Sequence, residues 1–181
     1  MRSLWVAALL LLTTLPHLPA RTYHEVTELD AVFDRYGSTG TFVLFDPARD
    51  RMEVSNKLRA QQRFAMGSSF RIANLEGPVT ISAIEQTEFL GRLVAGKLPA
   101  NEEAVRAVKE KSLVERTRSY ELHGETGRLS NSNRQIGWWA GWVERDGKRY
   151  PFALNIDMFK DRDAEKRIAI GRECLKVLGK L

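Results

Sequence analysis

Ser68 and Arg71 are the residues whose types and spacing could do chemistry. Three residues is close to one helical turn, so a helix beginning at Ser68 would hold both side chains on one face. A serine in that setting can be a nucleophile whose activating partner comes from the same helix. A bare S-x-x-R is also produced by an N-cap serine followed by a surface arginine, and cap preferences alone favour that structural interpretation.

The elements before this pair predict an antiparallel hairpin. After a short polar lead, β-forming residues fill 41–46, and a returning strand is predicted at 52–56. Residues 57–67 are polar and predicted to be irregular. The helix expected at Ser68 should end within ten residues, because Gly77-Pro78 prevents its continuation. Such a short helix is marginal without tertiary support.

The second half of the chain predicts two helices, three strands and a terminal helix. Apolar periodicity and a cap signal at Asn101 indicate the helices, and Asp146-Gly147 is a strong hairpin signal. The predicted helices cover residues 81–96, about 102–113 and 163–178, and the strands cover residues 119–123, 136–143 and 150–158. Short hairpin loops make the sheet antiparallel, so the fold class is α+β with helices packed on the sheet.

Length and composition favour one soluble domain. The chain has 181 residues, of which 43% are hydrophobic and 28% charged, as in ordinary globular proteins. Its net charge of +5 is spread among acidic residues without a Lys/Arg run, so nucleic-acid binding is not expected. Residues 1–20 follow the pattern of a secretory signal peptide, with cleavage expected after Ala20, and their apolar core is too short for a membrane span. We therefore expect a periplasmic or secreted protein without a membrane span.

Other chemistry-bearing residues receive structural interpretations. Cys174 is the only cysteine, which excludes an internal disulfide, and its place on an apolar helix stripe predicts a buried, inert thiol. His24 and His123 lack the spacing of metal ligands, so surface or loop roles are predicted and no metal or cofactor is expected. The three tryptophans of residues 136–143 should alternate faces of a strand, with at least one in the core.

Taken together, the motifs resemble class D (oxacillinase-type) serine β-lactamases. The similar stretches run from about Gly40 to the end of the chain: residues 40–46, 64–78, 81–86, 136–144 and 152–158. The resemblance implies the penicillin-recognising fold, with an antiparallel sheet of about five strands between N- and C-terminal helices and a separate helical lobe. It also implies hydrolysis of the β-lactam amide through an acyl-serine intermediate, without a cofactor.

The resemblance assigns roles to particular positions. Ser68 takes the nucleophile position, and Arg71 takes that of the lysine, which in the family carries a carboxyl group and acts as base. Glu125, Thr126 and Gly127 take the place of a K-T-G motif that lines the cleft, and Asn131 takes that of an arginine that holds the substrate carboxylate. Arg128 and Arg134 lie nearby as possible substitutes for that arginine.

Three departures from the family pattern predict weak activity. Arginine stays protonated and cannot act as a general base, so Arg71 cannot replace the lysine. Glu125 replaces an attractive cation by a repulsive anion, and a unit charge at about 4 Å is worth on the order of 4 kcal/mol at an effective dielectric near 20. Asn74 runs directly into Leu75, so the single domain expected over residues 21–181 carries an internal deletion near 74–75. Most of the helical lobe, with its S-x-V and Y-G-N motifs, has no counterpart.

These features leave three interpretations. The first is an exported class D β-lactamase homologue that is impaired or inactive. The second is a binding protein that takes up β-lactams or cell-wall peptides without turnover. The third is a structural remnant in which Arg71 and Glu125 form an ion pair, with an apolar sheet surface exposed by the deletion. The sequence predicts no oligomeric state.

Overall fold

The computed structural model describes residues 22–65, 80–98, 102–129 and 135–181. The predicted signal peptide, Ser68, Arg71, the junction at 74–75, Asn101, Asn131 and Arg134 all lie outside these residues. No helix in the described ranges is both long enough and apolar enough to cross a membrane.

One sheet of seven strands forms the centre of the described chain. Its spatial order is β1-β3-β2-β9-β8-β7-β6, and the pairings are antiparallel except that of β1 with β3. A separate two-stranded sheet joins β4 and β5. The strands are β1 (Thr22–Glu25), β2 (Gly40–Asp46), β3 (Arg51–Val54), β4 (Phe64–Ala65), β5 (Thr80–Ile81), β6 (Leu113–Arg116), β7 (Glu121–Leu129), β8 (Gln135–Arg145) and β9 (Lys148–Met158).

Helices cover both faces of this sheet. They are α1 (Thr27–Arg35), α2 (Lys57–Gln61), α3 (Ala83–Val94), α4 (Glu102–Ser112) and α5 (Asp163–Val177). On one face, α1 and α5 pack around Phe42, Trp139 and Leu154, and we call this the α5 face. On the other, α2 and α3 pack around Val43, Trp138 and Ala153, and we call this the α3 face.

Local signals account for the best-predicted boundaries. The side chain of Ser82 accepts a hydrogen bond from the backbone N–H of Glu85, whose carboxylate accepts from the Ser82 N–H, so a capping box starts α3. Asp146 and Gly147 have φ values of 52° and 71°, as the two-residue turn between β8 and β9 requires. The α+β class and the antiparallel sheet are thus confirmed, and the short edge strands β1 and β6 bring the expected five strands to seven.

Two local predictions were wrong. Residues 57–61 form the helix α2, which Asn56 caps through its side chain, because burial of Ala60 and Arg59 outweighs the polar composition. The strand predicted at 119–123 begins at Glu121 and runs to Leu129. Gly124 is tolerated in the strand because a neighbour fills its space: a Cβ there would lie 2.6 Å from Nε1 of Trp139.

Burial of the thiol and the tryptophans matches expectation. Trp138, Trp139 and Trp142 are all buried, with the first two on opposite faces of the sheet. Cys174 is fully buried on α5, and burial raises the pKa of its thiol. A thiol held in its protonated form in the core is a poor nucleophile, which agrees with the predicted inert role.

Candidate functional site

Strand β7 carries the three described residues of the candidate site. Glu125 pairs with Ala140 of β8, Thr126 with Trp139, and Gly127 with Trp138. Directly paired residues share a face of the sheet and successive residues alternate. Glu125 and Gly127 therefore lie on the α3 face, while Thr126 lies on the α5 face. The structure brings two of the three motif positions to one surface and directs the third away from it.

The chain that leads to Ser68 also reaches the α3 face. The indole Nε1 of Trp138 donates a hydrogen bond of 3.2 Å to the carbonyl oxygen of Ala65, three residues before Ser68. Phe64 and Ala65 pair with Ile81 and Thr80 in the two-stranded sheet. This hydrogen bond holds Ala65, in the segment that leads to Ser68, on the α3 face over the paired strands β7 and β8.

Arg59 is buried and links α2 and Phe64, in the segment that leads to Ser68, to strand β9. Its Nε donates to Oδ1 of Asn155 at 2.8 Å, and a terminal nitrogen donates to Oδ1 of Asp157, also at 2.8 Å. The guanidinium carbon lies 4.8 Å from the centre of the Phe64 ring. Arg59 is 6% exposed, so its charge is compensated almost wholly by these partners. Helix α2 is thereby tied to β9 and to the strand that precedes Ser68.

Glu125 is half-buried, and its side chain forms no hydrogen bond or ion pair with another residue of the described ranges. The role of Glu125, Thr126 and Gly127 in binding a substrate stays a prediction, as do the roles of the positions that the structure does not describe. Because Glu125 lies on the α3 face, this position presents a carboxylate there rather than a cation.

Arg128 does not substitute for the missing carboxylate-holding arginine on that surface. Its Nε donates to Oε1 of Gln135 at 2.8 Å, and a terminal nitrogen contacts Asp161 at 2.6 Å. Alternation places it with Thr126 on the α5 face. There Arg167 of α5 donates to the carbonyl oxygen of Gly127 at 2.9 Å, and burial lowers the pKa of this arginine with help from the charge of Arg128.

The surface or loop role predicted for His123 was wrong. The side chain is buried between β7, β8 and α4, and its ring stacks on Trp142 with centroids 4.5 Å apart. Its Nδ1 lies 3.1 Å from the Lys109 carbonyl oxygen and 3.3 Å from Oγ of Ser112. Burial lowers the pKa of the imidazole, although the charge of Glu144 opposes that effect.

Glu144 and Lys109 form the polar border of this histidine. Nζ of Lys109 lies 2.9 Å from Oε1 of Glu144, and Nε1 of Trp142 donates to the same oxygen at 3.1 Å. Burial raises the pKa of Glu144, but these contacts outweigh it and the pKa lies below its ordinary value. The Nε2 atom of His123 lies 3.5 Å from Glu121 and 3.9 Å from Glu144.

The described side chains include no group of three His, Cys, Asp or Glu residues placed to hold a metal ion. His24, on the edge strand β1, pairs through Nδ1 with Oε2 of Glu53 at 2.7 Å and is half-exposed. This histidine has the surface role that was predicted for it.

Sequence reasoning missed His123 and Arg59 as neighbours of the site. Alternation along β7 could have found His123, because positions 123, 125 and 127 share a face once the strand is extended past Gly124. Arg59 carried no comparable signal, since its partners Asn155 and Asp157 lie nearly 100 positions away, with separations of 96 and 98 residues.

Comparison with known proteins supports the resemblance drawn from the motifs, although no protein-family model matches the chain. The chain is 40% identical to β-lactamase OXA-48 of Klebsiella pneumoniae over 102 residues, which are 56% of this chain and 38% of that protein. It is 36% identical to β-lactamase OXA-10 of Pseudomonas aeruginosa over 108 residues, 58% of this chain and 41% of that protein. The match thus spans about two fifths of these curated relatives.

Solved structures show the same fold at lower identity. The class D β-lactamase FUS-1 (OXA-85) from Fusobacterium nucleatum subsp. polymorphum superposes with a TM-score of 0.80 at 24% identity, covering 87% of this chain and 100% of that one. The class D β-lactamase YbXI from Nostoc gives a TM-score of 0.79 at 24% identity, covering 84% and 99%. The chain therefore has the fold of class D serine β-lactamases and resembles oxacillinase-type enzymes in sequence over more than half of its length.

Proposed function

We propose that this chain is an exported homologue of class D β-lactamases, with Ser68 at the nucleophile position, that hydrolyses little or no β-lactam. The observation that carries the proposal is the hydrogen bond from Trp138 to Ala65. It holds the approach to Ser68 on the face of the sheet that presents Glu125 and Gly127, which is where a nucleophile would meet a substrate lying along β7.

The chemistry of the substituted positions explains why turnover should be poor. A serine hydroxyl needs a neighbouring base to accept its proton during attack on the amide carbonyl. Arg71 is a permanent cation and cannot accept one. Glu125 adds a negative charge where an anionic β-lactam would approach, and like charges at close range oppose binding.

Hydrolysis of a chromogenic cephalosporin by the purified protein tests the catalytic part of this proposal. We expect no rate above that of Ser68→Ala, because the unmodified chain has no base to activate the serine and the variant has no serine. Hydrolysis that is present in the unmodified chain and lost in Ser68→Ala would show that the serine is activated by some other group.

A binding role without turnover is the second candidate, and the contact of Ala65, three residues before Ser68, with Trp138 of β8 supports it. Incubation with a fluorescent penicillin should label the protein slowly at Ser68, as located by mass mapping of peptides. A cell-wall peptide that reduces the labelling would extend the proposal to that ligand. Absence of label after prolonged incubation would leave only a structural role.

The structural alternative rests on Glu125. Its carboxylate lacks an ionic partner in the described ranges, so we propose that Arg71 supplies the cation across the former cleft. A double-mutant cycle with Arg71→Gln and Glu125→Gln should then give a coupling energy of about 0.5 kcal/mol or more. Additive effects would rule the pair out.

Two processing proposals accompany this function. Export should remove residues 1–20, so the amino-terminal sequence of the exported protein should begin at Arg21. We also attribute the direct junction of Asn74 and Leu75 to an in-frame deletion of most of the helical lobe. Resequencing of the locus around these codons distinguishes a natural deletion from an error in the gene model.

A further inference from the structure

A concave surface lies beside the tip of the β8–β9 hairpin, between this hairpin, the β2–β3 turn and the end of α3. It has a volume of about 620 Å³, within the range of pockets that bind small molecules. We call it the hairpin groove. It is lined by Phe45, Pro47, Asp50, Gly91, Arg92, Val94, Ala95, Lys97, Gly147, Lys148, Arg149 and Pro151.

The rim of the hairpin groove is strongly basic. Its lining contains four cations and a single carboxylate, that of Asp50. Arg92, Lys97 and Lys148 are exposed and form no ion pair with a carboxylate in the described part of the chain. Because like charges that converge on a concavity repel one another, a negatively charged occupant would relieve an unfavourable arrangement.

The fourth cation has a structural partner. A terminal nitrogen of Arg149 donates to the Val94 carbonyl oxygen at 2.5 Å, and its Nε lies 3.8 Å from Glu144. These contacts tie the hairpin to the end of α3 and so hold the two walls of the groove together. The remaining three cations are available to a ligand without loss of a contact within the described chain.

The floor of the groove is apolar. It is formed by the rings of Phe45, Pro47 and Pro151 together with Val94, and Pro151 is buried. The floor contributes no polar side chain, so a bare inorganic anion would find hydrogen-bond donors only at the rim of the groove. A ligand that combines a flat apolar body with charges at its edge would satisfy both floor and rim.

We propose that the hairpin groove binds a small organic anion that carries two or more negative charges on a flat apolar body. This site is independent of the proposed function. None of its lining residues belongs to the candidate site. Pro151 in its floor pairs with Trp142, four residues along β8 from Trp138, which is a separation of roughly 13 Å at about 3.3 Å per residue.

A pyrene tetrasulfonate dye tests this site directly through its fluorescence anisotropy. The dye should bind the unmodified protein, and the triple variant Arg92→Gln/Lys97→Gln/Lys148→Gln should bind it at least about tenfold more weakly, which corresponds to about 1.4 kcal/mol. The variant keeps Arg149, and its thermal unfolding midpoint should match that of the unmodified chain because all three side chains are exposed.

A charge-matched control separates a site from general attraction to a basic protein. Arg106→Gln/Arg118→Gln/Lys160→Gln removes three exposed cations that do not line the groove and should change dye affinity by less than about twofold, since exposed charges outside a site are screened at physiological salt. Equal weakening in both triple variants, or no binding to the unmodified protein, would overturn the proposal.

Competition tests the apolar part of the ligand. An unlabelled naphthalene trisulfonate should displace the dye at a concentration at least about tenfold lower than inorganic phosphate. Displacement by phosphate at the same concentration would show that charge alone is recognised and would overturn the proposed ligand class. Displacement by an oligoglutamate at a lower concentration than naphthalene trisulfonate would overturn it in favour of an acidic polymer.

Discussion

His123 is a titratable residue that the fold places in the core. Lys109 and Ser112 of α4 contact its Nδ1, while Glu121 of β7 and Glu144 of β8 approach its Nε2. Burial opposes the charged imidazolium, so protons bind less readily in the folded chain than in the unfolded one. The folded state is therefore penalised in acid.

Lowering the pH from 7 to 5 should lower the stability of the folded chain through His123. The pKa of His123 in the folded chain lies below the ordinary value of 6.5. Above pH 6.5 the histidine is neutral in both states and the folded chain has its full stability. As the pH falls from 6.5 towards the folded pKa, the unfolded chain binds the proton more readily, and the free energy of unfolding decreases. The loss approaches about 1.4 kcal/mol for each unit between the two pKa values. Urea unfolding of the unmodified chain and His123→Phe, measured across this range, should give curves that diverge in acid.

His123→Phe keeps a ring against Trp142 but removes the titration and the Nδ1 contacts with Lys109 and Ser112. The change with pH is therefore compared, rather than the overall stability of the two proteins. The other acidic groups titrate in both proteins and cancel. Parallel curves would mean that His123 has the same pKa folded and unfolded.

Arg59 is the second residue whose role the fold determines. The side chains of Arg59 and Asp157 are 6% and 5% exposed, and a buried ion pair contributes little by itself but is costly to break. Arg59→Met should lower the free energy of unfolding by about 3–5 kcal/mol, because Asp157 loses this cation in the core. Denaturant unfolding provides the measurement.

Arg63→Met is the matched control. Arg63 pairs with Glu85 at 3.2 Å, but its side chain is 58% exposed, so its removal should cost less than about 1 kcal/mol. Similar losses for both substitutions would contradict a special role for the buried pair.

At the scale of elements, α5 and β8 are joined by the close approach of a helix to a tryptophan ring. A Cβ placed at Gly171 of α5 would lie 2.3 Å from Cε3 and 2.4 Å from Cζ3 of Trp139. The helix can therefore rest directly on the ring only because this position has no side chain. Opposite this contact, Trp138 packs on the α3 face, so the two tryptophans anchor both helical layers.

Gly171→Ala should lower stability by about 1–3 kcal/mol, because overpacking against Trp139 outweighs the better helix propensity of alanine. Gly91→Ala in α3 should instead raise it by up to about 1 kcal/mol. Its added Cβ would meet Cγ of Pro151 at 3.6 Å, an ordinary contact. Thermal unfolding of the two variants gives shifts of opposite sign if this is correct, and a stabilising Gly171→Ala would contradict the contact.

At the scale of the whole molecule, the chain keeps the sheet fold of class D β-lactamases while matching about two fifths of the length of its curated relatives. A sheet that pairs strands from both ends of the chain can form without a separate lobe, because β2 pairs directly with β9. Under the proposed function the active site would lie between this sheet and a lobe, so we expect the deletion to affect catalysis more than formation of the sheet.

This difference predicts the behaviour of a charge-restored variant. Arg71→Lys/Glu125→Lys should label faster with fluorescent penicillin than the unmodified chain, since it restores a possible base and an attractive charge. It should still show no steady hydrolysis, because the S-x-V and Y-G-N motifs of the resemblance have no counterpart here. Sustained turnover of a chromogenic cephalosporin by this variant would show that the lobe is dispensable.

Local chemistry determined the features that the sequence predicted well. Asp146-Gly147 is a hairpin turn because both residues adopt positive φ, and Ser82 with Glu85 starts α3 through contacts within one turn. Each of these features depends on residues close in sequence, so the local sequence is enough to predict it. The resemblance added the fold class, which is confirmed, and Ser68 as a nucleophile position, which stays a prediction.

Tertiary structure alone decided which face each residue of β7 presents and which groups are buried. Pairing with β8 extends β7 to Leu129, brings Glu125 and Gly127 to the α3 face and turns Arg128 towards α5. Strand register and the partners of buried charges depend on residues far apart in the chain, as for Arg59 and Asp157. The sequence by itself identified the serine, and only long-range packing fixed the surroundings in which that serine would have to act.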